Sequence, residues 1–210
     1  LTELKDLIHK SKIFGFYFAT LDIRQDSRIH HQVFKHIADH LMSDDQQILP
    51  DNYHDMDELT QMNLLSTIEG DISSEDFQDE LVVKTLGSIE AIKKIQNTNG
   101  EKGANRYIIS NNQSSLNVMQ VFTMLKMTAF KKELTVDVVP LFETVDDLIN
   151  ASRIMEELYS NETYRAHLKN RGNKQTIMLG FSDGTKDAGL SLDLYGTELE
   201  EGSYVIHTAR

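Results

Sequence analysis

Thr176–Gly189 reads TIMLGFSDGTKDAG, a short apolar run that breaks into a loop carrying Asp183, Lys186 and Asp187. An apolar run of this length, bounded by Gly and Asp, predicts a buried strand. The loop behind it presents acids and a base where a parallel strand would end, and ligands of parallel α/β sheets meet the protein at the carboxyl ends of strands. The rest of the chain can therefore be searched for other strands that end in charged residues. Three are found.

Working backwards, Thr135–Glu143 (TVDVVPLFE) is a strand that ends on Glu143 and leads into a helix over Val145–Leu158. Thr144 and Asp147 have capping-box spacing and mark the helix start. Pro140 lacks a ladder donor, so this strand is expected to bend or lose pairing there, which suits the rim of a sheet better than its middle. Arg106–Ser110 (RYIIS) is a second strand, followed by a polar loop and a helix that faces Leu116, Met119, Val121, Phe122 and Leu125 inward. The methionines at 119, 124 and 127 read as core. The nearly continuous apolar run Ile13–Ala19, extended by Leu21 and Ile23, predicts a strand that starts buried and ends with Asp22 and Arg24 on one face. Ser27 can cap the next helix, whose stripe is Ile29, Val33, Phe34, Ile37 and Leu41, with His30, His31, His36 and His40 on its other faces.

Between Ser43 and Asp57 the chain is acidic and polar around Pro50, a surface connection. Helical patterns follow at Leu59–Ile68 and Phe77–Ile95, and the Asn97-Thr98-Asn99-Gly100 cluster stops the second. His167–Lys174 reads as a basic connection into the last strand. The alternation of strand and helix predicts a parallel sheet with right-handed crossovers. Four strands are too few to close a barrel of eight, so the expected fold is α/β, either a partial (β/α)8 TIM-type barrel or an open sheet, with a helical insertion at about 43–99. No repeat or low-complexity tract interrupts this reading.

The 210 residues carry a formal net charge of -12 and no cysteine. That charge opposes nucleic acid and anionic membrane surfaces, and no basic patch offsets it. Disulfides, Cys-ligated zinc, iron–sulfur clusters and thiol nucleophiles are excluded. No segment approaches the roughly 20 apolar residues of a membrane helix, and the opening LTELKDLIHKSK lacks a signal peptide's apolar centre. The chain opens without Met inside an amphipathic pattern of Leu1, Leu4, Leu7 and Ile8, which predicts a piece of something longer.

Glu143 and Asp183 end neighbouring strands, and two carboxylates at one mouth suit Mg²⁺ or Mn²⁺. The competing reading makes Glu143 the complement of a helix N-terminus and Asp183 a turn residue. Arg24 is either a bidentate anion grip or the partner of a neighbouring acid, Asp22 or Asp26, and Lys186 is a candidate point charge for an anion. His36 and His40 have i,i+4 spacing without the Glu a zinc protease motif needs, and read as a solvated helix face. The acidic run Asp51–Glu58 lacks the spacing of a calcium loop.

In order and spacing, LDIRQDS (21–27), YIIS (107–110), VVPLFETVDDL (138–148) and MLGFSDGTKDAG (178–189) resemble the central region of phosphoenolpyruvate carboxylases, over about residues 1–189. The resemblance implies a (β/α)8 barrel whose mouth binds a divalent metal and phosphoenolpyruvate. It implies Glu143 and Asp183 as Mg²⁺ or Mn²⁺ ligands, Arg24 as a phosphoenolpyruvate contact and Lys186 as a catalytic anion-holding group. The family reaction joins bicarbonate to phosphoenolpyruvate through carboxyphosphate and an enolate, giving oxaloacetate and phosphate. A cytoplasmic homotetramer is the expected setting of the full-length enzyme. The family's TAHPTE and HGRGG motifs are absent, and residues 190–210 form a divergent tail. The chain is therefore expected to be a catalytically incomplete segment. The alternatives are a fragment with only a structural or interaction role, or another barrel enzyme that handles enolates with a metal.

Overall fold

Three of the four apolar runs that predicted strands form a parallel sheet where expected, seen in a computed structural model that describes residues 2–15, 17, 19–43 and 47–180 and the backbone of 204–209. Strands β1 (Asp22–Asp26), β2 (Arg106–Ser110), β3 (Asp137–Phe142) and β4 (Gln175–Gly180) lie side by side in chain order. A fifth strand, β5 (Tyr204–Ala209), pairs parallel to β4 within the stretch read as a divergent tail. The helices are α1 (Thr2–Phe14), α2 (Ser27–Ser43), α3 (Glu58–Thr67), α4 (Glu80–Asn99), α5 (Ser115–Thr128), α6 (Val145–Ser160) and α7 (Glu162–Asn170). Three of them, α2, α3 and α4, stand between β1 and β2.

Alternation along the strands separates two faces. Tyr107, Ile109, Val138 and Phe142 point into the main core with the helices, whereas Ile108, Val139 and Leu141 form a separate small cluster with Met178. Helix α5 carries apolar residues on more than one face and is buried nearly all round. Its Val118, Met119, Val121, Met124 and Leu125 are fully buried, because α2, α3 and α4 pack over the side that the sheet does not reach. The expected inward stripe is thus one part of a helix with no outward face. Truncating Leu125 to Ala there would cost about 2–5 kcal/mol.

Three expectations need correction. Ile13 and Phe14 end α1 and are exposed at 69% and 43%, so the first strand does not begin in the run Ile13–Ala19. Gly15, with φ +54°, donates its N–H to the Ser11 carbonyl and ends the helix, as a left-handed glycine commonly does. The strand shrinks to Asp22–Asp26 at the sheet edge. His30, expected off the apolar stripe, is wholly buried, its Nε2 3.0 Å from the Tyr107 hydroxyl. Pro140 lies in a strand flanked on both sides, not at the rim. The loss of pairing is accommodated because Asp137–Pro140 register with β2, while Leu141 and Phe142 register with β4. The ladder changes partner at the residue that has no N–H to give.

Candidate active site at the carboxyl ends of the strands

Side chains that continue the Ile108, Val139 and Leu141 face past the strand ends converge at one mouth. Arg24 is in register with Ile108, and Ile108 with Val139. Two residues beyond Leu141 on the same alternation comes Glu143. The Arg24 guanidinium crosses β2 to donate from Nη2 to Glu143 Oε1 at 2.7 Å, with Arg24 half exposed and Glu143 largely covered. The other carboxylate oxygen, Oε2, accepts the backbone N–H of Asn111 at 3.0 Å.

The backbone around Glu143 is held as firmly as its side chain. Thr144 caps α6 by accepting the Asp147 N–H, and Asp147 Oδ2 in return accepts the N–H groups of Thr144 at 2.9 Å and Glu143 at 3.1 Å. The capping box read from the sequence therefore does more than start a helix: it fixes the residue at the strand end. Asn111, at φ +53°, turns the chain sharply out of β2, and its carbonyl accepts the Ser27 hydroxyl from the start of α2. On the far side, Gly180 ends β4 directly against Glu143. A Cβ there would stand 3.2 Å from Glu143 Cα and Cγ, tighter than an ordinary contact, so a larger residue would displace Glu143 by a few tenths of an ångström.

Neither neighbouring acid pairs with Arg24. Asp26 is gripped by Arg28, Nε to Oδ1 at 2.9 Å and Nη2 to Oδ2 at 2.7 Å, and these hydrogen bonds hold its carboxyl below the usual carboxylate range. Asp22 faces Arg106 at 3.7 Å. Of the four sequence-read site residues, the structure thus brings Arg24 and Glu143 into contact, while Asp183 and Lys186 lie outside the described residues. Among the described residues no three His, Asp or Glu side chains gather as a metal-holding group. His36 and His40 stay on the outer side of α2, His40 against Phe77.

Sequence reading missed Asn111, Asp147 as a support of Glu143, and Gly180. Asn directly after a strand is a signal for a left-handed turn. The contact of Gly180 with Glu143 has no local signal, since it joins residues from different strands.

The family profile for phosphoenolpyruvate carboxylase matches residues 1–193. Proteins named phosphoenolpyruvate carboxylase from Nitrosomonas europaea and Nitrosomonas eutropha are 33% and 31% identical, each match covering 94% of this chain and 22% of the relative. One from Gloeobacter violaceus is 31% identical over 89% of this chain and 20% of its own length. The chain spans about a fifth of the length of these relatives.

Proposed function

Since the chain belongs to the phosphoenolpyruvate carboxylase family, we propose that it is a segment of that enzyme's catalytic (β/α)8 barrel, carrying part of the mouth and not all of it. The observation that carries this reading is the convergence of Arg24, Glu143 and Gly180 from three strands. Gly180 ends β4 beside Glu143, three residues before Asp183 in the sequence. The barrel reading draws support from strand order: consecutive parallel neighbours without a reversal, and helices gathered on one face, are what an arc of a singly wound barrel has. An open doubly wound sheet would reverse its order at a switch point.

Glu143 suits a divalent metal by chemistry and by access. Its oxygens are hard donors at a strand end, and one of them is paired with the half-exposed Arg24 side chain. Asp183 is the second ligand in this proposal, reaching the same mouth from the next strand. Bound Mg²⁺ or Mn²⁺ would supply Lewis acidity toward a substrate oxygen on which negative charge develops. The chain's own residues do the positioning. Asn111 and Asp147 orient Glu143, Arg24 grips phosphate or carboxylate oxygens, and Lys186 adds a point charge for an anion. In the whole protein the substrates are phosphoenolpyruvate and bicarbonate, the products oxaloacetate and phosphate, and the setting a cytoplasmic homotetramer. The arginines and acid–base groups of the family's other motifs lie outside this sequence, so catalysis by this chain alone is negligible.

Purified chain given phosphoenolpyruvate, bicarbonate and Mg²⁺ in a coupled oxaloacetate assay should show no turnover above background, yet bind Mn²⁺ in a way that Glu143→Ala or Asp183→Ala weakens. Robust turnover would overturn the claim of incompleteness. Equal Mn²⁺ affinity in all three proteins would remove the shared metal site.

A further inference from the structure

Both oxygens of Glu143 are already engaged, one by a cation and one by a neutral amide. Oε1 accepts Arg24 Nη2 at 2.7 Å, and Oε2 accepts the Asn111 N–H at 3.0 Å. A divalent cation that took Oε1 at the usual distance of about 2.1 Å would stand close to the guanidinium, and like charges at that range weaken each other's hold on the carboxylate. The amide contact has no such conflict and can persist. Glu143 would then keep its orientation while exchanging one cation for another. Arg24 can leave because its side chain is half exposed, whereas Glu143 is fixed through its backbone by Asp147.

What the guanidinium would meet next is settled by its neighbours. The two acids flanking it on β1 are occupied, Asp22 by Arg106 and Asp26 by the forked grip of Arg28. A displaced Arg24 thus has neither of them as a ready partner. We propose, on the basis of the metal reading above, that Arg24 is the built-in counter-ion of Glu143, that a divalent cation displaces it, and that the displaced guanidinium becomes the anion grip. Metal and anion then help each other: the factor by which metal improves anion binding equals the factor by which anion improves metal binding. In the metal-free state Arg24 plays a positioning role, holding the carboxylate ready and neutralised.

The test is Mn²⁺ binding followed by electron paramagnetic resonance, with and without inorganic phosphate, on this chain and its Arg24→Gln, Arg24→Lys and Glu143→Gln variants. Arg24→Gln and Arg24→Lys should both bind Mn²⁺ about three- to tenfold more tightly than the parent, the size of one half-exposed charge-assisted hydrogen bond. The lysine variant keeps the charge but shortens the reach, so it separates displacement of a contact from general repulsion. Phosphate should tighten Mn²⁺ binding in the parent by a factor that shrinks in Arg24→Gln. Glu143→Gln should bind weakly. If Glu143→Gln binds as the parent does, the metal reading itself falls and the exchange with it. If Glu143→Gln is weakened but neither Arg24 variant is tightened, the exchange is wrong and the metal site stands. A tightened Arg24→Gln beside a parent-like Arg24→Lys would reduce the effect to long-range repulsion and also overturn the exchange.

Discussion

Replacing Asp147 with Ala removes the acceptor that holds the backbone at the end of β3. Its Oδ2 takes the N–H of Thr144 at 2.9 Å and of Glu143 at 3.1 Å, and the side chain is only 5% exposed. Loss of a carboxylate from the first turn of α6 costs about 0.3–1 kcal/mol. Each donor left without an acceptor adds about 1 kcal/mol if water reaches it poorly. The sum is about 2–3 kcal/mol, which in a chain of this size lowers the melting temperature by about 4–12 °C. Asp147→Asn keeps a side-chain oxygen and forfeits mainly the charge at a helix N-terminus, so about 1 kcal/mol should be lost. Thermal and urea unfolding followed by circular dichroism would measure both. Because the same bond orients Glu143, Mn²⁺ affinity should fall in Asp147→Ala by more than in Asp147→Asn. A loss under about 0.5 kcal/mol for Ala would refute the idea that Asp147 anchors the strand end, since two covered amides left without their acceptor cost more.

Two further outcomes are expected. Burial pushes His30 and His167 down to about 4 from the ordinary 6.5, so both are neutral in the folded chain. As pH falls through 6.5 the unfolded chain takes up these protons first; the stability is fully present above that pH and is lost on the way down to about 4. The drop in melting temperature between pH 7 and pH 5 should therefore be smaller in His30→Gln/His167→Gln, and an unchanged drop would assign it to other groups. Arg171, mostly covered, donates from Nε to Asp137 at 2.7 Å and from Nη1 to Glu101 at 2.6 Å, tying the end of α7 to the start of β3. Arg171→Ala should cost about 2–3 kcal/mol in urea unfolding, and Arg171→Lys should recover less than half, since an ammonium cannot fork between two carboxylates.

What could be read from the sequence was whatever depends on near neighbours. RYIIS and VVPLF are apolar on both faces and became the central strands, and Thr144 and Asp147 announced their helix three residues apart. Glu143 stood out as the first charge after a buried run. Local pattern failed where a distant partner decided the outcome. Ile13 and Phe14 look like strand, yet the preceding helical pattern runs through them to Gly15. His30 falls between apolar stripe positions and is buried because Tyr107, from a strand far along the chain, supplies a hydroxyl. The basic connection expected at His167–Lys174 begins inside helix α7, whose start Asn161 caps by accepting the Tyr164 N–H and which Tyr164 anchors in the core. At the site, adjacent acids made the nearer ion pairs for Arg24 look plausible. Arg28 and Arg106 take those acids, leaving Arg24 for a carboxylate 119 residues away.

The central claim is that Glu143 and Asp183 share one metal ion at the mouth. A double-mutant cycle in Mn²⁺ affinity tests it directly, using the chain, Glu143→Ala, Asp183→Ala and the pair together. Ligands of one ion act as a unit, so each single variant should lose most of the affinity and the pair little more than either. Full additivity of two modest losses, or affinity unchanged in any single variant, would contradict a shared site.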